Sequence, residues 1–365
     1  MATISNQVFV TFSGEASKGG SGPIDTVIAL SIGPKTGTVI GPATDAIQEA
    51  RGMVQDARHG LYVAQSYKKA TAIRSYAPVV GAYPMSGTDL VVQGWQPQSG
   101  PPLQSPALLH PYGLAFDPQT GALYQSSQDT NVVSGYSLSY AGATVTASAL
   151  PTSSALAGIP NSTFYEGQYV TSSVPLAVNP SITLLPQTAG GLDYTDDGSA
   201  HSVRGIAVVG TTLYVVDEAA ALVGTYDLRS GAFTGWITTN GTSLTPMSAP
   251  VGIVADTSGN VYIGDSGSNT IYKWVSAGGP TPTALSVFAT GDELKKISGL
   301  AVLPDGSLIF GSREPVTAGD AASSGGKSAQ TYSIYRIGHH SGINPWATGF
   351  TDTPECLLCV EVVSD

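Results

Sequence analysis

A hairpin pattern that recurs along the chain limits the fold more than any other feature of the sequence. The clearest copy, Ala249 to Trp274, reads APVGIVADTSGNVYIGDSGSNTIYKW and alternates apolar and polar residues on both sides of a turn at Ser258-Gly259-Asn260. Alternation interrupted by a glycine turn is typical of a β-hairpin. Related stretches begin near Arg51, Tyr112, Arg204 and Ser298. Such internal repetition predicts an all-β repeat architecture.

The spacing of the copies predicts a β-propeller. The copies align on Gly52, Gly113, Gly205, Gly252 and Gly299, and the last three lie 47 residues apart, within the roughly 40 to 50 residues of a four-stranded blade. A sixth copy is divided between the termini, with PECLLCVEVVSD supplying a first strand, Cys356 in the glycine place, and SNQVFVTFS supplying the second. We therefore predict one domain over 1–365, a six-bladed propeller closed by its terminal strands. An insertion at about 149–203 contains SVPLAVNPSITLL, which leaves seven blades as an alternative.

The hairpins resemble the NHL repeat, P-x-G-I-A-V-D-x-x-G-N-V-Y-V-x-D-S-x-N-x-x-I, most closely from Pro250 to Ile271. They also resemble, more loosely, the gluconolactonase-like propellers. The resemblance covers most of the chain and implies the propeller fold, but it does not select one function. In gluconolactonase-like enzymes the matching channel positions carry several Glu, Asn or Asp residues that hold a divalent cation.

Composition excludes some partners. The formal net charge is -11 and the pI about 4.7, so nucleic acid is not expected to bind. No apolar run is long enough to cross a bilayer, and the N-terminal residues lack the pattern of a signal peptide. Sequons at Asn161 and Asn240 and the low lysine content suit a mature secreted or periplasmic protein. The oligomeric state is not predicted.

Long segments connect the blades on one face, which we call the top face, whereas the hairpin turns on the opposite face are short. Long loops in a compact domain are usually functional. The residue before each aligned glycine or Cys356 is expected at the top of the central channel. These six residues, the first ring, are Arg51, Tyr112, Arg204, Val251, Ser298 and Glu355.

The first ring predicts an anion site. Arg51 and Arg204 could bind a carboxylate or enolate in a bidentate manner, with Glu355 orienting one guanidinium. Tyr112 and Glu355 are the candidate catalytic residues for proton transfer. His110 and His201, just before the first strands of their blades, are further candidates for substrate binding. The structural alternative is that Arg51 and Glu355 only form an ion pair that plugs the channel.

No cofactor and no metal ligands are predicted with these residues. In the first ring, only Glu355 has a side chain suited to binding a cation. Two alternatives remain open elsewhere in the sequence. DYTDDG from Asp193 could form a loose Ca²⁺-binding loop, and His339-His340 could bind a metal ion as a pair. Cys356 and Cys359 have the CxxC spacing, but the β-type run LLCVEVV around them favours structural thiols. GDSG at Gly264 falls where the repeat already expects Asp-Ser, so we interpret it as part of the fold.

The sequence favours a small-molecule enzyme, non-redox and lactonase-, lyase- or isomerase-like, that binds an anionic or polyoxygenated ligand at the top of the channel. The alternative is a non-catalytic NHL-type module that binds protein or glycan through top-face aromatic residues, namely Trp95, Tyr165, Tyr169 and Trp346.

Overall fold

Antiparallel strands make up almost all of the regular structure in the computed structural model. It describes residues 3–13, 24–67, 70–93, 103–105, 108, 110–128, 132–142, 144–150, 161–165, 168–172, 181–183, 202–219, 221–229, 233–237, 247–275, 285–315, 331–338 and 342–364. A short 3-10 helix spans Asp292–Leu294. No helix in these ranges has the length and apolar character needed to span a membrane.

Six sheets follow one another along the chain, and we call them blades 1 to 6. Blade 1 begins with β1 (Thr3–Ser13), β2 (Ile28–Ile32) and β3 (Gly37–Pro42). Blade 2 contains β4 (Ala50–Gln55), β5 (Gly60–Gln65), β6 (Ala72–Pro78), β7 (Gly87–Gln93) and β8 (Leu103–Ser105). Blade 3 contains β9 (Pro111–Asp117), β10 (Ala122–Ser127), β11 (Val132–Ala141) and β12 (Thr144–Ala149).

The insertion after blade 3 adds three short strands. β13 (Asn161–Tyr165) and β14 (Gln168–Ser172) form a separate hairpin, and β15 (Ser181–Thr183) pairs with β11 of blade 3. Because β15 joins an existing blade, the part of SVPLAVNPSITLL that the structure describes does not begin a seventh one.

The second half of the chain is more regular. Blade 4 contains β16 (Val203–Val209), β17 (Thr212–Asp217), β18 (Leu222–Asp227) and β19 (Phe233–Trp236). Blade 5 contains β20 (Pro250–Ala255), β21 (Asn260–Asp265), β22 (Thr270–Val275) and β23 (Ser286–Thr290). Blade 6 contains β24 (Ile297–Val302), β25 (Leu308–Ser312), β26 (Tyr332–Gly338) and β27 (Gly342–Phe350). The last strand is β28 (Thr353–Ser364).

The two ends of the chain close the ring. β28 pairs with β1 over its whole length, from Thr3 opposite Ser364 to Ser13 opposite Thr353, and becomes the inner strand of blade 1. This pairing confirms the predicted division of the sixth hairpin. Closure pairs the two terminal strands with each other, which is how a propeller protects the strand edges at the ends of its chain.

Among the residues that the structure describes, the core consists of six apolar clusters, each at an interface between neighbouring blades. Between blades 1 and 2, for example, Phe9 and Val360 pack with Leu61, all fully buried. Trp346 of β27 belongs to the cluster between blades 6 and 1 and is only 2% exposed. Its prediction as a top-face recognition residue was wrong, because it lies in a strand whose inward side faces the neighbouring blade.

Each inner strand approaches the next so closely that the position after the first-ring residue favours glycine. A Cβ on Gly252 would lie 2.4 Å from the carbonyl oxygen of Ser298 in the next blade, and one on Gly299 would lie 2.7 Å from that of Glu355. Where Cys356 replaces the glycine, Thr11 bridges the junction. Its hydroxyl accepts a hydrogen bond of 3.1 Å from the Cys356 N–H and donates one of 2.7 Å to the Arg51 carbonyl.

Candidate functional site

The inner strands bring the first-ring residues to the top of the channel. Arg51, Tyr112 and Glu355 come together there, each from a different blade. The sequence alignment had predicted this convergence from the glycine register alone. Val251 and Ser298 complete the same rim, and the Ser298 hydroxyl donates to the Pro354 carbonyl at 2.5 Å.

A second set of residues, one position beyond the end of each second strand, lies beside the first ring. We call it the second ring, and its described members are Ser66, Gln128, Glu218, Ser266 and Arg313. Each is fixed by the same main-chain hydrogen bond, in which its N–H donates to the carbonyl two residues before the first-ring residue of its own blade. Examples are Gln128 to His110 at 3.1 Å and Arg313 to Lys296 at 3.0 Å.

The second ring supplies candidate site residues that the pattern of the first strands does not identify. Gln128, Glu218 and Arg313 all contact first-ring side chains. The signal was present in the sequence, because these residues align with Ser266 of the clearest repeat, one residue after its Asp265. The register of the first strands does not include these positions, so the first ring alone does not predict their charged residues.

Glu355 is the centre of the polar contacts. Its Oε2 atom lies 2.9 Å from Nη1 of Arg51 and 2.6 Å from Nη2 of Arg313. The hydroxyl of Tyr112 is 3.5 Å from the same oxygen, and it accepts a hydrogen bond of 2.8 Å from Nη2 of Arg313. Glu355 is 3% exposed, so this carboxylate depends on the two guanidinium groups rather than on water for its stabilisation.

Tyr112 also separates the arginines of two blades. The Cζ atom of Arg204 lies 4.9 Å from the Tyr112 ring centroid, and that of Arg51 lies 5.9 Å from it. Arg204 is held by Glu218, with Nε and Nη2 at 2.6 and 2.5 Å from Oε2, and it also donates to Gln128. Three guanidinium groups therefore surround one phenol, and among the described residues two carboxylates, Glu218 and Glu355, are paired with them.

The surroundings of Tyr112 keep its hydroxyl protonated at neutral pH. Burial raises the pKa of Tyr112, and this effect outweighs the opposing influence of Arg313. For Arg51 and Arg313, burial acts to lower the pKa, but attraction to Glu355 raises it on balance. The three groups are thus a phenol that can donate a proton and two permanent cations.

The arginines retain hydrogen-bonding capacity. Within the part of the chain that the structure describes, the Nε atoms of Arg51 and Arg313 are buried and have no hydrogen-bond partner. Buried donors are normally satisfied, so each unpartnered Nε group carries a desolvation cost in this cluster. Arg51, Tyr112, Ser298 and Glu355 line one end of a cavity of about 230 Å³ that continues down the channel.

The remaining candidates differ in how far the structure describes them. His110 precedes β9 in a left-handed conformation (φ 53°) and lies beside Gln128 through the hydrogen bond given above, next to the partner of Arg204. His201, His339, His340, Trp95 and the Asp193 loop lie outside the described residues, as do the side chains of Tyr165 and Tyr169.

The described residues do not match a metal site of the gluconolactonase-like kind. They contain no group of three or more His, Cys, Asp or Glu side chains that could hold an ion. At the mouth, the one acidic first-ring residue is already paired with two arginines. The first ring therefore suits an anion better than a cation.

Two motifs prove to be structural where the structure describes them. The carboxylate of Asp265 in GDSG accepts hydrogen bonds of 2.8 and 2.7 Å from the N–H groups of Ser248 and Ala249. The Ser266 hydroxyl donates a hydrogen bond to the Ala249 carbonyl. Cys356 and Cys359 are free thiols on one strand, where residues three apart point to opposite faces. Burial raises the pKa of each to about 11, which suppresses the reactive thiolate.

Solved structures confirm the propeller fold. A chain of a nidogen–laminin complex is 11% identical, with a TM-score of 0.56 and 98% of each chain covered. A protein from Lactobacillus plantarum is 14% identical, with a TM-score of 0.56 over 98% of this chain and 100% of the other. The periplasmic gluconolactonase of Pseudomonas aeruginosa is 12% identical, with a TM-score of 0.53 over 98% and 99%. No family model and no curated protein matches the sequence. At these identities the likeness establishes the fold alone.

Proposed function

We propose that this protein is a lactonase-type hydrolase that binds an anionic or polyoxygenated small molecule at the channel mouth. One observation carries the proposal. Arg51, Arg204 and Arg313 surround Tyr112, while among the described residues two carboxylates, Glu218 and Glu355, are paired with the three guanidinium groups. A carboxylate or a polarised carbonyl oxygen would balance the remaining positive charge. The periplasmic gluconolactonase that shares the fold supports this reaction class over a lyase or an isomerase.

The proposed reaction uses the mouth residues in distinct roles. The oxygen of a water molecule attacks the lactone carbonyl carbon, and the carbonyl electron pair moves to its oxygen, which Arg51 and Arg313 stabilise as an oxyanion. Glu355 takes the proton of the attacking water, since the incoming ligand replaces it as a partner of the two arginines. The ring C–O bond then breaks, and Tyr112 donates its proton to the leaving alkoxide and regains one from Glu355. The product is the open hydroxy acid.

Arg204 has a binding role in this scheme. Its guanidinium is held by Glu218 and Gln128 and faces the ring of Tyr112, so it is oriented without contacting Glu355 in the described contacts. It would bind a hydroxyl or carboxylate of the substrate beside the ring of Tyr112. His110 and His201 remain predictions as further binding residues.

Calorimetric titration with gluconate and acetate, together with pH-stat assays on glucono-δ-lactone and on a δ-lactone with a straight alkyl substituent, tests the proposal. We expect one anion to bind per chain, and Arg313→Gln or Arg51→Gln to raise Kd roughly a hundredfold, as expected for loss of a charge pair of about 3 kcal/mol.

Arg336→Gln is the matched control, because Arg336 is paired with Asp305 near the hairpin turns and its side chain is 15% exposed, similar to that of Arg51. Equal affinity in all three variants would refute the anion site. Binding without turnover of any lactone would refute the hydrolase and favour the recognition module.

A further inference from the structure

The channel below the arginines differs sharply in character from the mouth. Among the residues that line the cavity, the four with charged or hydroxyl side chains, Arg51, Tyr112, Ser298 and Glu355, all belong to the first ring. The described residues of the lining below them are glycines, Cys356, Met53 and residues with aliphatic or aromatic hydrocarbon side chains. The cavity therefore has a charged end and an apolar body.

The apolar part is deep enough to accept an extended chain. Its lowest lining residues stand three or four positions after the first-ring residues along the inner strands, at Val54, Phe116, Val208, Ala255 and Leu358. At about 3.3 Å per residue, this places them roughly 10 to 13 Å below the mouth. All five are partly exposed and belong to the cavity lining. Val54, Val208, Ala255 and Leu358 also pack against the clusters between blades, so they form the boundary between the cavity and the core.

The charged end and the apolar body of the cavity favour one class of ligand. Hydroxyl groups of a polyol would enter a space whose side chains offer no hydrogen bond, and unpaired buried polar groups are costly. Main-chain groups along the strand edges can bind a few water molecules, but they provide no charge. A hydrocarbon chain would instead remove apolar surface from water while its charged end stays at the arginines.

We infer that the ligand is an amphiphile, with an anionic or carbonyl head held by the arginines at the mouth and an unbranched hydrocarbon tail in the channel. In the hydrolytic reaction, the substrate would be a lactone with an aliphatic substituent, and the product a hydroxy acid with the same tail. This inference rests on the proposed function for the head group. It adds the specificity for the tail, which the first ring alone does not determine.

Calorimetry of the wild-type protein with a series of straight-chain carboxylates provides the test. The probes are acetate, butyrate, hexanoate and octanoate, each below its micelle concentration, with gluconate as the polar comparison. Each methylene that enters the channel should lower Kd by about fourfold, equivalent to ~0.8 kcal/mol. Octanoate should therefore bind far more tightly than acetate, and gluconate no more tightly than acetate.

Two variants locate the tail. Val208→Phe narrows the lower channel and should remove the gain from hexanoate to octanoate while leaving acetate affinity unchanged. Ala255→Leu is a second variant with the same expected effect, in case the first does not fold. Val287→Phe is the control, because Val287 is 61% exposed on the outer strand of blade 5.

The possible results separate the two proposals. A Kd that is independent of chain length, but is raised by Arg313→Gln, would overturn the tail inference and leave the anion site intact. If Arg51→Gln and Arg313→Gln leave the Kd for octanoate unchanged, the proposed orientation of the amphiphile is overturned, because its head would not lie at the mouth. Failure of every carboxylate to bind would overturn both.

Discussion

Replacing Glu355 with Gln tests the central contact of the mouth. The substitution keeps the shape of the side chain and leaves one amide oxygen to accept a hydrogen bond, but it removes the charge that Arg51 and Arg313 share. The two arginines, 2.9 and 2.6 Å from one carboxylate oxygen, would then repel each other in a partly buried position. We therefore expect the folded protein to lose stability while the mouth gains attraction for anions.

The size of the loss follows from the burial of the three groups. Breaking a buried ion pair by removing one partner generally costs about 3 to 5 kcal/mol. Here 17% of Arg51 and 29% of Arg313 are exposed, so water replaces part of the lost interaction. The remaining amide oxygen offsets a further part. We expect the free energy of unfolding to fall by about 2 to 3 kcal/mol, discounted in this way from the buried limit.

Urea unfolding at neutral pH, with and without added acetate, measures both effects. Glu361→Gln is the control on the same strand, because Glu361 is 54% exposed and should change stability by less than about 0.5 kcal/mol. At equal ionic strength, acetate in place of chloride should stabilise Glu355→Gln more than the wild type, since it binds the unpaired arginines of the folded state. A loss no larger than that of the control would refute the reasoning, because the arginines would then not depend on Glu355.

The remaining predictions concern the blade junctions and the titrating groups. Gly252→Ala should destabilise the protein by about 1 to 3 kcal/mol, because its Cβ would lie 2.4 Å from a carbonyl oxygen of the next blade, whereas Cys356→Ala at the equivalent junction should cost about 1 kcal/mol or less. Equal losses in urea unfolding would contradict this account of the inner strands. Burial raises the pKa of Tyr124 to about 12, so its stabilising contribution is full below about pH 10 and is lost as the pH rises towards 12. Stability measured at about pH 9 to 11 should therefore fall more steeply for the wild type than for Tyr124→Phe, and parallel curves would refute the shift. Both thiols have pKa values raised to about 11, so a thiol reagent at pH 8 should modify Cys356 and Cys359 about a hundredfold more slowly in the folded protein than in urea, and similar rates would contradict their burial.

The sequence by itself determined the repeat and its closure. Period-2 alternation and the glycine turns specify hairpins locally, so each copy was recognisable without any long-range information. The terminal strands could be assigned to one hairpin because the C-terminal segment contains only the first strand of the pattern. The N-terminal segment contains only the second strand. The register of the aligned glycines also fixed the first ring, since a glycine is needed wherever two inner strands approach closely.

Only the tertiary structure decided which charges meet. Arg51 and Glu355 are far apart in sequence and adjacent in space, but whether they form a pair, a plug or a binding site depends on what else reaches them. Arg313 and Glu218 reach the mouth from a second register that only the main-chain hydrogen bonds between strands reveal. Trp346 shows the reverse case, because its aromatic character suggested recognition until the packing of two blades buried it. The physical reason is that strand identity is encoded by neighbours along the chain, whereas burial and charge pairing depend on neighbouring blades.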